Sequence, residues 1–402
     1  MRRKQEKKQS NKTAKHRSKF RIHPSRGMDY MLGSLTQNYD APAFILMFIL
    51  IAFGVVMVFS AGYYTTTNNY GDPYYYLKRQ LIWVAIGTGT LVFFAKVDYH
   101  WYCKYYVIVA VVSIALLALL FTPLGVKVNN ATRWYEFGPV RLTPSEISKL
   151  AMIIFTAGFL AERPARVRSG WIAVLGGVLA VHMALIIKQP NLSTAIIVAA
   201  IMIGIMFVAG MWNGFVLGAV VAGVVGLIVI LLFFPESHWY LRLTNFIDPF
   251  KDAQGAGYQV SQSLIALGNG GLTGLGLGNS VAKNLYLPEA QTDFILAIIG
   301  EELGFIGILV LMCVYLILIY RCFVISAKAK DKLGFFLASG VTIMLALQVL
   351  MNVAVVTASM PATGVTLPFI SYGGTSLVVF MAAMGIIMNV SRQTREAERA
   401  EQ

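Results

Sequence analysis

Charge is scarce in this sequence. Only 13% of its 402 residues are Asp, Glu, Lys or Arg, about half the ~25% of an average soluble domain. A chain so poor in charge cannot dress a water-facing surface. Acids are scarcer still, 19 against 33 Lys and Arg, for a net charge of +14. The three cysteines, Cys103, Cys313 and Cys322, include no C-x-x-C pair, which argues against a disulfide framework. The five histidines show no metal-ligand spacing. There is no internal repeat and no second soluble domain. No short apolar stretch with a cleavage site follows the first 26 residues, so a removable signal peptide is not expected and the first span should act as an uncleaved anchor.

What fills the chain is apolar: 57% of it, in runs of roughly 18 to 25 residues, the length that crosses about 30 Å of hydrocarbon as a helix. The runs predict an all-α polytopic membrane protein with ten transmembrane helices, near 41–62, 80–96, 105–122, 144–162, 171–188, 192–210, 213–234, 293–320, 334–358 and 367–390. An even number places both termini on one side. Arg163, Arg166 and Arg168, then Arg321, Lys328, Lys330 and Lys332, then Arg392, Arg395 and Arg399 all fall on that side with the basic N-terminal tail. This is the positive-inside pattern, so both termini are expected in the cytoplasm. Residues 1–40 read as a basic, disordered tail, 41–392 as the membrane domain and 393–402 as a short cytoplasmic C-terminal tail. Much of the positive charge lies in the first 26 residues, beside a span. Contact with anionic lipid is therefore expected of it, and nucleic acid is not.

The opposite side carries two unusual loops, about 123–143 and about 235–292, the larger between helices seven and eight. Loops of that length inside a compact protein are functional or disordered. The larger holds apolar turns (GYQVSQSLIALG), so ordered structure at the outer surface is expected. Polar residues gather at span ends on this side. Asp293 opens span eight, either as a helix-start acid or as a reactive group. Glu301 and Glu302 lie about 12 Å deeper at 1.5 Å per residue. Intramembrane acids face a partner or a cavity. A packing role for them is supported by Gly300, Gly304 and Gly307, which would let another backbone approach.

Span four opens with LTPSEISKLAM, where Pro144 suits the first turn and Glu146 and Lys149 share a face. Lys149 either snorkels or points into an outward cavity. Arg133 with Trp134, Lys188 and Arg242 add positive charge at the same face, as a diphosphate would require; surface solvation is the alternative for each. The run GNGGLTGLGLGN at 268–279 lacks the full dinucleotide fingerprint and any strand–helix setting. It reads as a turn or as flexible backbone near a ligand.

The stretches VVMVFSAG, RWYEFGPVRLTPSEISK, NFIDPFKDAQGAGYQVSQSLIALGNGGLTGLGLG, LPEAQTDFILAIIGEELG and LPFISYGGTS resemble the SEDS proteins, the family of FtsW, RodA and SpoVE. The resemblance covers nearly the whole chain from about residue 40, and SAGYYTTTNNYGDPYYYLKRQLIW with the basic tail resembles the FtsW/SpoVE branch more than RodA. It implies a peptidoglycan glycosyltransferase of the bacterial cytoplasmic membrane. Such an enzyme polymerises lipid II at the outer leaflet for septal wall synthesis, with a class B penicillin-binding protein and other divisome membrane proteins as partners. By motif, the catalytic aspartate is Asp293, and Arg133, Glu146, Lys149, Gln259, Ser263, Glu301 and Glu302 match family positions. Two stretches depart. KQPNLST stands where an acidic segment is common, so no acidic role is expected there, and Thr132 stands where another arginine is frequent.

The implied reaction is a single inverting displacement. Asp293 is the candidate base, and undecaprenyl diphosphate is the leaving group. Arg133, Lys149 or a divalent cation, magnesium or manganese, would neutralise that group. Arg242 joins the substrate-binding candidates through its charge. The rival readings are a lipid II flippase or other transporter, which also shows intramembrane acids, and a non-catalytic divisome scaffold.

Overall fold

The computed structural model describes residues 39–128, 131–138, 140–163, 171–211 and 257–400, with isolated positions between 218 and 255. The described helices are α1 (Ala41–Tyr70), α2 (Tyr75–Lys96), α3 (Tyr99–Cys103), α4 (Tyr106–Leu119), α5 (Pro144–Glu162), α6 (Trp171–Lys188), α7 (Leu192–Val208), α8 (Tyr258–Gly270), α9 (Ile295–Ala327), α10 (Lys332–Val356) and α11 (Gly374–Ala400). Six of them, α1, α5, α6, α9, α10 and α11, are long and apolar enough to cross a membrane; α4 and α7 are shorter apolar helices. Expected spans one to six and eight to ten fall on α1, α2, α4, α5, α6, α7, α9, α10 and α11. The seventh, about 213–234, the tail 1–38 and Arg242 lie outside the described residues.

Helix starts follow their local chemistry. Asp40 caps α1 by accepting from the Ala43 N–H, with proline in the first turn, and Gly71 ends the helix in the left-handed region. Asp331 caps α10 through the Gly334 N–H. Helices α5 and α11 are interior along most of their length, whereas α6 and α9 turn most of theirs outward. The outward residues of α9 (Phe305, Ile306, Val310, Leu316, Phe323) are large and apolar, as a lipid-facing helix requires. The fold is that of a polytopic membrane protein.

One end of the bundle gathers the charged groups expected to be cytoplasmic. Arg321 holds Asp40 at 2.5 Å. Tyr99 donates to Asp331 at 2.6 Å, and Gln393 donates to Asp98 at 2.9 Å. Arg392 reaches the Lys96 carbonyl, and Arg163 the Tyr106 hydroxyl.

The opposite end corrects the all-α expectation. The loop expected at 123–143 forms a three-stranded antiparallel sheet, β1 (Gly125–Val128), β2 (Ala131–Phe137) and β3 (Val140–Leu142), in the order β1-β2-β3. Tyr135 pairs with Gly125 on one side and Leu142 on the other. Strands this short carry too few alternations to stand out beside twenty-residue apolar runs. The larger outer loop contains α8, followed by turns that run to α9.

Helix α9 is two helices joined at Gly304, whose φ of 68° and ψ of −170° are not helical. The Phe305 and Ile306 N–H groups would normally donate to the carbonyls of Glu301 and Glu302. They donate instead to Gly271 and Leu272, at 2.9 and 3.1 Å, and the two released carbonyls accept from Leu275 and Gly276 at 2.9 Å each. Four bonds thus splice loop 271–276 into the helix ladder, an inserted-segment cause of helix breakage. The expectation that Gly304 lies with Gly300 and Gly307 on one continuous helix face is corrected: it is the break itself. The glycine-rich run is neither a plain turn nor slack backbone. A Cβ on Gly270 would stand 2.0 Å from the Gly300 carbonyl oxygen, and one on Gly274 2.2 Å from that of Glu302, so two backbones touch where only glycine fits.

Candidate functional site

Two buried amides on α10 organise the sheet-bearing end of the molecule. Gln348 and Asn352 are four residues apart, hence neighbours on one helix face, inside the otherwise apolar run LALQVLMNVAVV. A primary amide carries one acceptor and two donors. Gln348 accepts from Lys149 Nζ at 2.7 Å and donates to the Thr366 carbonyl at 3.1 Å. Asn352 donates to the carbonyls of Asp293 and Val365 at 2.8 and 2.7 Å. The pair ties loop 357–373 to α10 and presents Lys149 and Asp293 from adjacent turns.

Lys149 sits one turn inside α5 and is only 1% exposed, with its ammonium 2.7 Å from the Glu146 carboxylate. The sequence left snorkelling open for Lys149; the geometry is that of an inward cation, ion-paired and bonded to an amide. Glu146 lies in the first turn of α5, where the helix dipole favours a negative charge. A buried cation needs such partners, because desolvation otherwise discharges it.

Asp293 lies just ahead of α9, whose cap position is Phe294, so it is not the helix cap that one reading of the sequence allowed. Its segment is pinned to loop 357–373: Ser371 donates to the Thr292 carbonyl at 2.6 Å, and the Tyr372 N–H to the Gln291 carbonyl at 2.9 Å. A Cβ on Gly364 would stand 3.1 Å from Asp293 Oδ2. Glycine at 364 thus lets loop 357–373 come close to the half-buried carboxylate.

The other expected site residues divide. Arg133, on β2, donates from Nε to the Gln189 carbonyl at 3.1 Å and from Nη2 to the Pro190 carbonyl, bracing the sheet against the end of α6. Lys188 lies over the Phe121 ring at 4.7 Å. Ser263, fully buried on α8, donates to the Val356 carbonyl at the end of α10, and Gln259 is half-buried in the first turn of α8.

Glu301 and Glu302 are both fully buried and point at protein groups. Glu301 accepts from Ser280 Oγ, from the Ala282 N–H at 3.1 Å and from Asn269 at 3.3 Å. Glu302 pairs with Lys283 at 2.8 Å and accepts from Ser60 at 2.6 Å. The two acids clasp the loop that splices into α9. That is the packing role the sequence left open, and they stand apart from the Lys149–Gln348 and Asn352–Asp293 contacts.

Gln348, Asn352 and Lys283 were not singled out from sequence. The two amides had a signal: polar residues one turn apart in a membrane span act as interhelical glue. Lys283 had none, because its partner lies nineteen residues along, across several turns.

Among the described residues no three His, Cys, Asp or Glu side chains gather as metal ligands.

The comparisons agree with this architecture. The family model described as cell cycle protein, covering FtsW, RodA and SpoVE, matches residues 41–396. The chain is 38% identical over 359 residues to a probable peptidoglycan glycosyltransferase FtsW of Trichlorobacter lovleyi, covering 88% of this chain and 93% of that one. It is also 38% identical over 368 residues to stage V sporulation protein E of Bacillus subtilis, covering 90% and 100%. The fold matches a chain from a structure described as a peptidoglycan synthase complex that coordinates polymerization and crosslinking. That match has a TM-score of 0.72 and 26% identity over 89% of this chain and 98% of that one. Thermus thermophilus RodA matches with a TM-score of 0.64 and 25% identity, over 88% and 97%. With matches along nearly its whole length and the same helical fold, the chain belongs to the FtsW/RodA/SpoVE family of cell cycle proteins, the SEDS family.

Proposed function

We propose that this protein is a peptidoglycan glycosyltransferase that polymerises lipid II at the outer face of the bacterial cytoplasmic membrane. The observation that carries the reading is the α10 amide pair, one turn apart, of which Asn352 holds the backbone of Asp293 and Gln348 a buried, ion-paired cation. Asp293 takes the proton of the acceptor's GlcNAc 4-hydroxyl as that oxygen bonds to the donor's anomeric carbon. The bond from that carbon to the undecaprenyl diphosphate breaks, and its electron pair leaves on the diphosphate. A positioned base contributes about 10²–10⁴-fold. One displacement inverts the anomeric centre. Lys149 supplies fixed positive charge for the departing diphosphate, with Glu146 and Gln348 holding it in place. Arg133 shapes the mouth from β2. Glu301, Glu302 and Ser263 fix the outer loop, on which Gln259 lies.

The same reading has ten membrane helices with the seventh at about 213–234, the large outer loop between helices seven and eight, and both termini in the cytoplasm. The working partner is a class B penicillin-binding transpeptidase, in keeping with the polymerization–crosslinking complex that the fold resembles. The assignment within the family is septal synthesis, supported by the FtsW-named relatives.

The test is lipid II polymerisation by the purified full chain with a class B partner shown to bind it, comparing wild type with Asp293→Ala. Glycan strands from wild type and none from the variant are expected. Full activity in Asp293→Ala overturns the base assignment. Lipid movement across the bilayer without strand growth in wild type would replace the enzyme with a flippase.

A further inference from the structure

The tyrosines where α1 meets α2 have no part in the chemistry above. Tyr70, the last residue of α1, stacks on Tyr75 with ring centroids 3.9 Å apart and planes within 9°. The Arg79 guanidinium lies 4.3 Å from the Tyr75 centroid. With Tyr70 on one face of Tyr75 and a cation over the ring, Tyr70 is the outer plate of the stack, and it is 53% exposed. Tyr76 stands edge-on to Tyr75 at 5.6 Å, and its ring meets Tyr372 at 4.6 Å.

The cluster is wired to the cleft. Gln291 donates to the Tyr76 hydroxyl at 3.3 Å and accepts from the Tyr372 N–H at 2.9 Å. Gln291 is two residues from Asp293, at most about 7 Å of extended chain. Tyrosines that merely anchor a protein at the membrane interface need no such connection. These form a rigid plate that begins in solvent and ends beside the reacting acid.

An exposed aromatic plate with a hydroxyl at its edge suits a pyranose ring. The axial C–H bonds of a β-linked sugar present a weakly positive face to the negative face of the ring. The equatorial hydroxyl and acetamido groups reach outward, toward polar edges such as the Tyr70 hydroxyl. A polymerase that adds many units in one encounter must also hold its product between additions.

We propose that Tyr70, backed by Tyr75 and Arg79, forms a stacking subsite for the amino sugars of the growing glycan strand, just beyond the bond being made. Tyr76 and Tyr372 fix that subsite relative to Asp293. The inference rests on the glycosyltransferase reading of the same cleft.

The experiment measures strand length and oligosaccharide binding in the full chain. Polymerisation of lipid II with the class B partner is compared for wild type, Tyr70→Ala/Tyr75→Ala and Tyr70→Phe/Tyr75→Phe, all checked for equal thermal stability. The alanine pair is expected to shorten strands at least about fivefold while still joining two lipid II molecules, and the phenylalanine pair to restore most of the length because it keeps the rings. Binding of a soluble β-1,4-linked GlcNAc hexamer is followed by saturation-transfer NMR, without any turnover. It is expected with wild type and the phenylalanine pair and to weaken at least about tenfold with the alanine pair. Wild-type strand lengths together with unchanged hexamer binding in the alanine pair overturn the subsite and leave these tyrosines as interface anchors. If wild type makes no strands, the polymerase reading fails, and the hexamer result still decides the subsite.

Discussion

Gln348 and Asn352 stand one turn apart on α10 and fasten consecutive residues of the same loop, Thr366 through one amide and Val365 through the other. Each also has a second task, Lys149 for Gln348 and the Asp293 backbone for Asn352. One helix face therefore sets the spacing between the buried cation and the acid.

Removing either amide should disturb both groups. Gln348→Leu and Asn352→Leu are each expected to lower polymerisation by about 10- to 100-fold, the scale on which small misplacements cost activity. The double variant should lose less than the product of the two, because both amides hold one loop. Initial rates for the three proteins at saturating lipid II check this.

Lys149→Met leaves Glu146 without its nearest cation. Loss of one member of a buried pair costs about 3–5 kcal/mol; Glu146 is 16% exposed, which places the expected loss toward the lower end. Lys149→Met/Glu146→Gln should regain much of the thermal stability and none of the activity. Recovery of activity in the double variant would mean that the cation serves the fold alone.

Lys283→Met is expected to destabilise the protein without touching the chemistry directly, because Glu302 is left fully buried without its cation. Lys283→Met/Glu302→Met should be more stable than Lys283→Met, since an apolar pair often replaces a buried ion pair at no net cost. Melting temperatures in detergent or nanodiscs decide it.

The glycines of the outer loop separate by what a methyl group would meet. Gly274→Ala and Gly304→Ala each combine a left-handed φ with a backbone clash, at 2.2 Å and 2.4 Å from the nearest atom. Both should cost more than the 1–2 kcal/mol or so of left-handed strain alone. Gly278 has a φ of +85° but nothing within 4 Å, so Gly278→Ala should show that strain only. Equal losses at all three positions would deny the splice its steric basis.

How much of this was legible depends on the signal each part carries. The membrane helices were plain because twenty apolar residues leave few other structures possible. Glu146 and Lys149 were plain as a pair, since their spacing alone puts them on one face. The sheet was missed because its three strands are only three to seven residues long. The Glu301 and Glu302 question stayed open in the sequence because the deciding partners, Ser280 for Glu301 and Lys283 for Glu302, approach through folded turns and follow no helical or strand period. Asp293 was singled out by motif. What a motif cannot show is Gly364, whose lack of a side chain lets loop 357–373 come close to that carboxylate.

The break at Gly304 is bridged by the outer loop from both sides. The last turn before it gives the loop two carbonyls, and the first turn after it gives the loop two N–H groups. The loop thus stands in for the interrupted turn of the span. A pull on it would strain the backbone of both halves of α9 together, the half that follows Asp293 and the half that runs on into the bilayer.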